Sequence, residues 1–116
     1  MQHNTITIQV TLDEDKLPQS IQWDASGSTA STTQQAKGAM VSLWDGADKS
    51  ALRIDLWTKD MMIDEMTDFM YQTIIGMADT YKRATNDDVL VSDMKTFAHA
   101  FYTKFKTQQA SSNKLK

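Results

Sequence analysis

Two histidines and fifteen acidic side chains are the groups in this 116-residue chain that could act as general bases, general acids or metal ligands. His3 lies at the extreme N-terminus. His99 falls about 180° from Leu90 on a helical wheel, on the polar side, with no carboxylate at helical spacing aimed at it. Carboxylates pair at Asp13/Asp15, Asp45/Asp48, Asp64/Glu65 and Asp87/Asp88. Glycosidase-type chemistry needs two carboxyls across a cleft, one of them in an apolar setting. These pairs fall in turns or at helix starts, where an anion is favoured for structural reasons. The Asp13–Asp15 turn lacks the glycine and distal glutamate of a calcium loop. The four glycines are scattered and make neither a phosphate-binding loop nor a Gly-x-Ser-x-Gly elbow. Cysteine is absent, which removes disulfides, thiolate zinc sites and cysteine nucleophiles together. The residues therefore predict a non-enzymatic protein with no catalytic, cofactor or metal site.

The elements that would carry any surface site follow from periodicity. Residues 5–12 alternate, placing Ile6, Ile8, Val10 and Leu12 on one side of a strand. A polar turn at 13–16 leads to a second run with Leu17, Ile21 and Trp23, and Pro18 near its start suits an edge. Small polar residues fill 24–37, which reads as a mobile Ser/Thr-rich loop. Apolar residues return from Gly38 to Trp44, and after a turn at Asp45-Gly46, Leu52, Ile54 and Leu56 alternate with Arg53, Asp55 and Trp57. That pattern predicts a second hairpin.

The remainder is helical. Met66, Phe69, Met70, Thr73, Ile74, Met77 and Tyr81 recur at spacings of three and four, with Asp64 and Glu65 at the start and Lys82 and Arg83 at the end. Thr85-Asn86-Asp87-Asp88 has the form of a capping signal. A second stripe runs through Leu90, Met94, Phe97, Ala98, Phe101, Tyr102 and Phe105, and periodicity fades after Thr107. The expected fold is α+β: a four-stranded antiparallel sheet of two hairpins, followed by two amphipathic helices packed on one face. The expected organisation is a single domain over 1–107, with the 24–37 loop, and a disordered tail over 108–116. Four of the eight methionines, Met66, Met70, Met77 and Met94, fall on the helical stripes, which assigns them to core packing ahead of an adaptable binding surface.

Composition narrows the class further. A formal net charge of −3 without a basic stripe argues against nucleic acid. The N-terminus lacks the basic start and apolar run of a signal peptide, and no stretch approaches the length of a membrane span. A cytoplasmic protein is expected.

If Leu52, Ile54 and Leu56 face the helices, then Arg53, Asp55 and Trp57 face outward. One face of the third strand joins them, bringing either Val41 and Leu43 or Met40 and Trp44. A tryptophan beside an arginine is the composition of an interface hot spot. Arg53, Asp55, Trp57 and Trp44 are therefore the candidate protein-interface residues, with a second copy of the chain among the candidate occupants. The competing reading has Trp57 folded over its own edge strand or covered by the 24–37 loop.

The segments Ala39-Met40-Val41-Ser42-Leu43-Trp44-Asp45, Leu52-Arg53-Ile54-Asp55-Leu56-Trp57-Thr58-Lys59-Asp60-Met61, Asp64-Glu65-Met66, Gln72-Thr73, Met77-Ala78-Asp79-Thr80 and Arg83-Ala84-Thr85, in that order, resemble the gliding-motility protein GldC family. The likeness covers roughly 5–105 and is densest over 39–85. It implies an accessory, non-enzymatic protein of the bacterial gliding machinery whose partners are other machinery proteins, and it brings no catalytic motif. The order of four strands and two helices is also that of the SecB export chaperone, so a holdase is the alternative, and a small-molecule binding domain ranks third.

Overall fold

The computed structural model describes residues 2–27 and 32–114, with side chains as far as Ala110. The chain divides into two compact units, Met1–Met61 and Met62–Lys116.

The first unit is all β. Strands β1 (Ile6–Leu12), β2 (Pro18–Ala25) and β3 (Gln34–Ala36) form one antiparallel sheet in the order β1-β2-β3. Strands β4 (Gly38–Asp45) and β5 (Ser50–Trp57) form a second, two-stranded antiparallel sheet. The expected single four-stranded sheet is thus replaced by a three-stranded and a two-stranded sheet. The difference originates in the segment 24–37. Strand β2 runs through Asp24 and Ala25, and β3 lies within the stretch expected to be a loop; residues 28–31 fall outside the described residues.

Pairing explains why β3 forms from Gln-Gln-Ala. Its residues are set opposite the central strand, Ile21 to Ala36 and Trp23 to Gln34. Ile21 also faces Val10 on the other side and is only 1% exposed, so β2 holds the core of this unit. The Pro18 end carries an irregularity of register between Thr11 and Leu12, as a strand without an amide donor there requires. The alternating residues of β1 behave otherwise than expected: Ile6, Ile8 and Leu12 are exposed.

The second unit is a helical hairpin, α1 (Ile63–Thr85) and α2 (Asp88–Lys114). Glu65 accepts the Met62 N–H at 3.0 Å, satisfying one donor at the start of α1. Asn86 adopts the left-handed conformation at φ 57° and donates its N–H to the Lys82 carbonyl, ending α1. Asp87, rather than Thr85, then caps α2, its carboxylate accepting the Leu90 N–H at 3.1 Å. Helix α2 runs on past Thr107, where the apolar periodicity fades, to Lys114.

Small residues line the seam between the helices. Thr67, Ala78, Val91 and Ala98 are buried, with Ala78 and Ala98 at 0% exposure. Tyr71 closes the far end, 4.9 Å from the Tyr102 ring and 3.1 Å from His99 Nδ1, while Lys95 pairs with Asp79 at 3.2 Å. The apolar stripes are covered only in part: Met66, Ile74 and Tyr81 of α1 and Met94, Tyr102 and Phe105 of α2 are half-buried. Met70 and Met77 of α1, and Leu90, Phe97 and Phe101 of α2, are exposed.

Candidate interaction surface

The carboxylate pairs singled out in the sequence all serve as anchors of local structure. Asp13 Oδ1 accepts the N–H groups of Asp15 (2.8 Å) and Leu17 (3.0 Å), while its buried Oδ2 meets the Lys59 ammonium. The Lys59 contact, then the Leu17 N–H, holds the Asp13 pKa below the ordinary carboxylate range despite some desolvation. Asp45 Oδ1 accepts the N–H groups of Ala47 and Asp48, closing the β4–β5 turn. Asp64 accepts the Glu65 N–H, and Asp87 caps α2. Asp60 accepts the Thr58 hydroxyl, the first cause of its own lowered pKa. His99 is exposed and bonded to Tyr71. Among the described residues, no group of three or more His, Cys, Asp or Glu could hold a metal ion.

The β4–β5 hairpin is different, because Ser42, Leu43 and Trp44 of β4 and every residue of β5 except Leu56 are exposed. Its register is regular along the full length: Gly38 opposite Trp57, Met40 opposite Asp55, Ser42 opposite Arg53, Trp44 opposite Ala51. Residues opposite one another share a face. The structure therefore resolves which side of β4 joins Arg53, Asp55 and Trp57: it is the Met40 and Trp44 side.

All four candidate residues lie on that one face. Arg53 and Asp55 are brought together, with Nη2 at 2.8 Å from Oδ1 and Nε at 3.2 Å from Oδ2, a bidentate pair held flat on the strand. The two tryptophans are not brought together. Trp44 lies opposite Ala51, six positions before Trp57 along β5, roughly 20 Å at strand rise. An indole thus stands at each end of a central ion pair.

The second face is one the sequence reading assigned to the core. It carries Val41 opposite Ile54 and Leu43 opposite Leu52. Leu43 (63%), Leu52 (60%) and Ile54 (57%) are as exposed as Trp44 (69%) and Trp57 (56%). The expectation that Leu52 and Ile54 are buried is corrected accordingly. Alternation shows that two faces differ in character; it cannot show which is covered. The run of exposed apolar groups on both faces is the kind of surface that marks an interaction site.

Beside the hairpin, Leu17 and Pro18 line a shallow hollow together with Asp55, Leu56, Trp57 and Lys59. Trp57 is therefore reached from a preformed, largely apolar recess, which is how an anchoring aromatic contributes to binding.

No curated protein and no solved structure matches the chain. Among the described residues, no helix is long and apolar enough to cross a membrane. A family model does match, that of the gliding motility-associated protein GldC-like family, over residues 18–107. That span takes in β2, both strands of the exposed hairpin and most of the helical hairpin. The chain belongs to the GldC-like family of gliding motility-associated proteins.

Proposed function

We propose that this protein is a non-enzymatic accessory component of the gliding machinery that works by binding other machinery proteins through the β4–β5 hairpin. One observation carries the reading: Trp44 and Trp57 stand exposed on the same face, flanking the Arg53–Asp55 pair. Aromatic and arginine side chains dominate binding energy where they can be desolvated by a partner. The ion pair keeps Arg53 extended on the strand, so less side-chain entropy is lost when a partner covers it.

The test is a pair of substitutions, Trp57→Ala and Trp44→Ala, introduced into a gliding strain. Truncation of an anchor weakens partner binding by about 2 kcal/mol or more. Spreading should be impaired while the circular dichroism spectrum and cellular abundance stay at wild-type values. Normal gliding by both variants would refute the proposal.

A holdase role has one supporting observation of its own. Met70, Met77, Leu90, Phe97 and Phe101 are exposed on the helical hairpin, and thioether and phenyl groups adapt to varied apolar segments. Suppression of aggregation of an unfolded substrate, lost in a Phe97→Ser variant, would favour it over the machinery-component reading.

A further inference from the structure

Strand β5 forms an edge of its two-stranded sheet. Among the described residues it pairs with β4 alone, its register has no bulge, it contains neither proline nor lysine, and its two charges, Arg53 and Asp55, neutralise each other. Natural edge strands are ordinarily blunted by one of these devices. The edge strand of the other sheet, β1, does carry an irregularity, between Thr11 and Leu12. A two-stranded sheet is also marginal by itself in water.

The free edge has hydrogen-bonding groups to offer. Thr58 turns its N–H to the Lys37 carbonyl at 2.8 Å, in line with the β4–β5 ladder. Alternation then directs the main-chain groups of Ala51, Arg53, Asp55 and Trp57 away from β4. We propose that two copies of the chain pair antiparallel through this edge, β5 against β5, with the two-fold axis at Ile54.

The register follows from the charges. Centred on Ile54, the pairing sets Arg53 opposite Asp55 of the second copy, Leu52 opposite its Leu56, and Ile54 opposite its Ile54. Centring on Arg53 or on Asp55 would set like charges directly opposite, which is unfavourable in a sheet. In the Ile54 register Arg53 and Asp55 form the hydrogen-bonded pairs, and the two intrachain ion pairs merge into a four-membered network. The Ala51 and Trp57 positions close the ladder before Lys49 and Lys59 can oppose each other. The product is a continuous four-stranded sheet, long enough to be stable. It leaves Trp44 and Trp57 on the sheet face, so it does not rest on the gliding role proposed above.

The chain has no cysteine, which makes the geometry directly testable. Non-hydrogen-bonded partners sit with Cβ atoms about 4.5–5.5 Å apart. An Ile54→Cys variant should therefore form a disulfide-linked dimer under mild oxidation. Leu52→Cys, whose partner is position 56, should remain unlinked. Charge reversal supplies the second arm. Arg53→Asp and Asp55→Arg, each folded by circular dichroism, should weaken dimerisation about tenfold or more in sedimentation velocity. An equimolar mixture of the two should regain it as a heterodimer, because every opposed pair is then complementary. The proposal is overturned if the wild type sediments as a monomer throughout, if both reversals leave the dimer intact, or if Leu52→Cys links as readily as Ile54→Cys. Any of these results would leave the Trp57→Ala gliding test unaffected, so the two proposals fail separately.

Discussion

Truncating Ile21 and Leu43 to alanine deletes the same number of carbons from strands of two different sheets, yet the consequences should differ severalfold. Ile21 is 1% exposed at the centre of the three-stranded sheet, opposite both Val10 and Ala36. Three carbons at about 0.8 kcal/mol each give roughly 2.4 kcal/mol of lost transfer energy, and a residual cavity brings the total to about 3–4 kcal/mol. Leu43 is 63% exposed, so about 37% of the side chain is covered. The same arithmetic gives roughly 0.9 kcal/mol, with no cavity term because solvent reaches the site. Against a total stability of about 5–15 kcal/mol, Ile21→Ala should shift the urea midpoint by a molar or more, and Leu43→Ala only slightly. The three tryptophans provide the fluorescence signal. Equal losses for the two variants would mean that Leu43 is inside the fold, and the open hairpin would have to be abandoned.

Other perturbations address the remaining elements. Ala78→Leu should destabilise the helical hairpin by about 1–3 kcal/mol in thermal melts, since no space exists at a position with 0% exposure. Asp87→Ala removes the carboxylate that holds the Leu90 N–H and should cost about 1 kcal/mol by the same assay. Acid unfolding should report the Asp13–Lys59 contact. The folded pKa of Asp13 lies below its ordinary value, so its contribution is present above that value and lost as pH falls through the folded one. Asp13→Asn should accordingly lower stability at neutral pH and flatten the acid limb of the pH–stability curve below about pH 4.

Much of this architecture was legible in the residues. Strict alternation in 52–57 put Arg53, Asp55 and Trp57 on one face, and the acidic start and basic end of α1 marked its limits closely. Three features were not legible, each for a physical reason. Strand β3 consists of Gln34, Gln35 and Ala36, whose weak intrinsic preference is overridden by pairing with Ile21 and Trp23. The helix beyond Thr107 has no apolar stripe, but Gln108, Gln109 and Ala110 are good helix formers and extend it without one. Exposure was the hardest to foresee. The seam of the helical hairpin is built on Thr67, Ala78, Val91 and Ala98, small residues that permit close approach, while the larger Met and Phe side chains draw the eye in a periodicity plot. For the candidate surface, the sequence left Met40 and Trp44 as one of two alternatives for the outward side of β4, and the register, with Trp44 opposite Ala51, puts them beside Arg53, Asp55 and Trp57.

The account stands most directly on what touches position 57 in a living cell. A photoreactive amino acid placed at Trp57, with one at the exposed turn residue Ala47 as control, would report contacts during gliding. The account predicts a discrete crosslink from position 57 to another gliding-machinery protein, absent from position 47. A crosslinking pattern at 57 indistinguishable from that at 47 would contradict it.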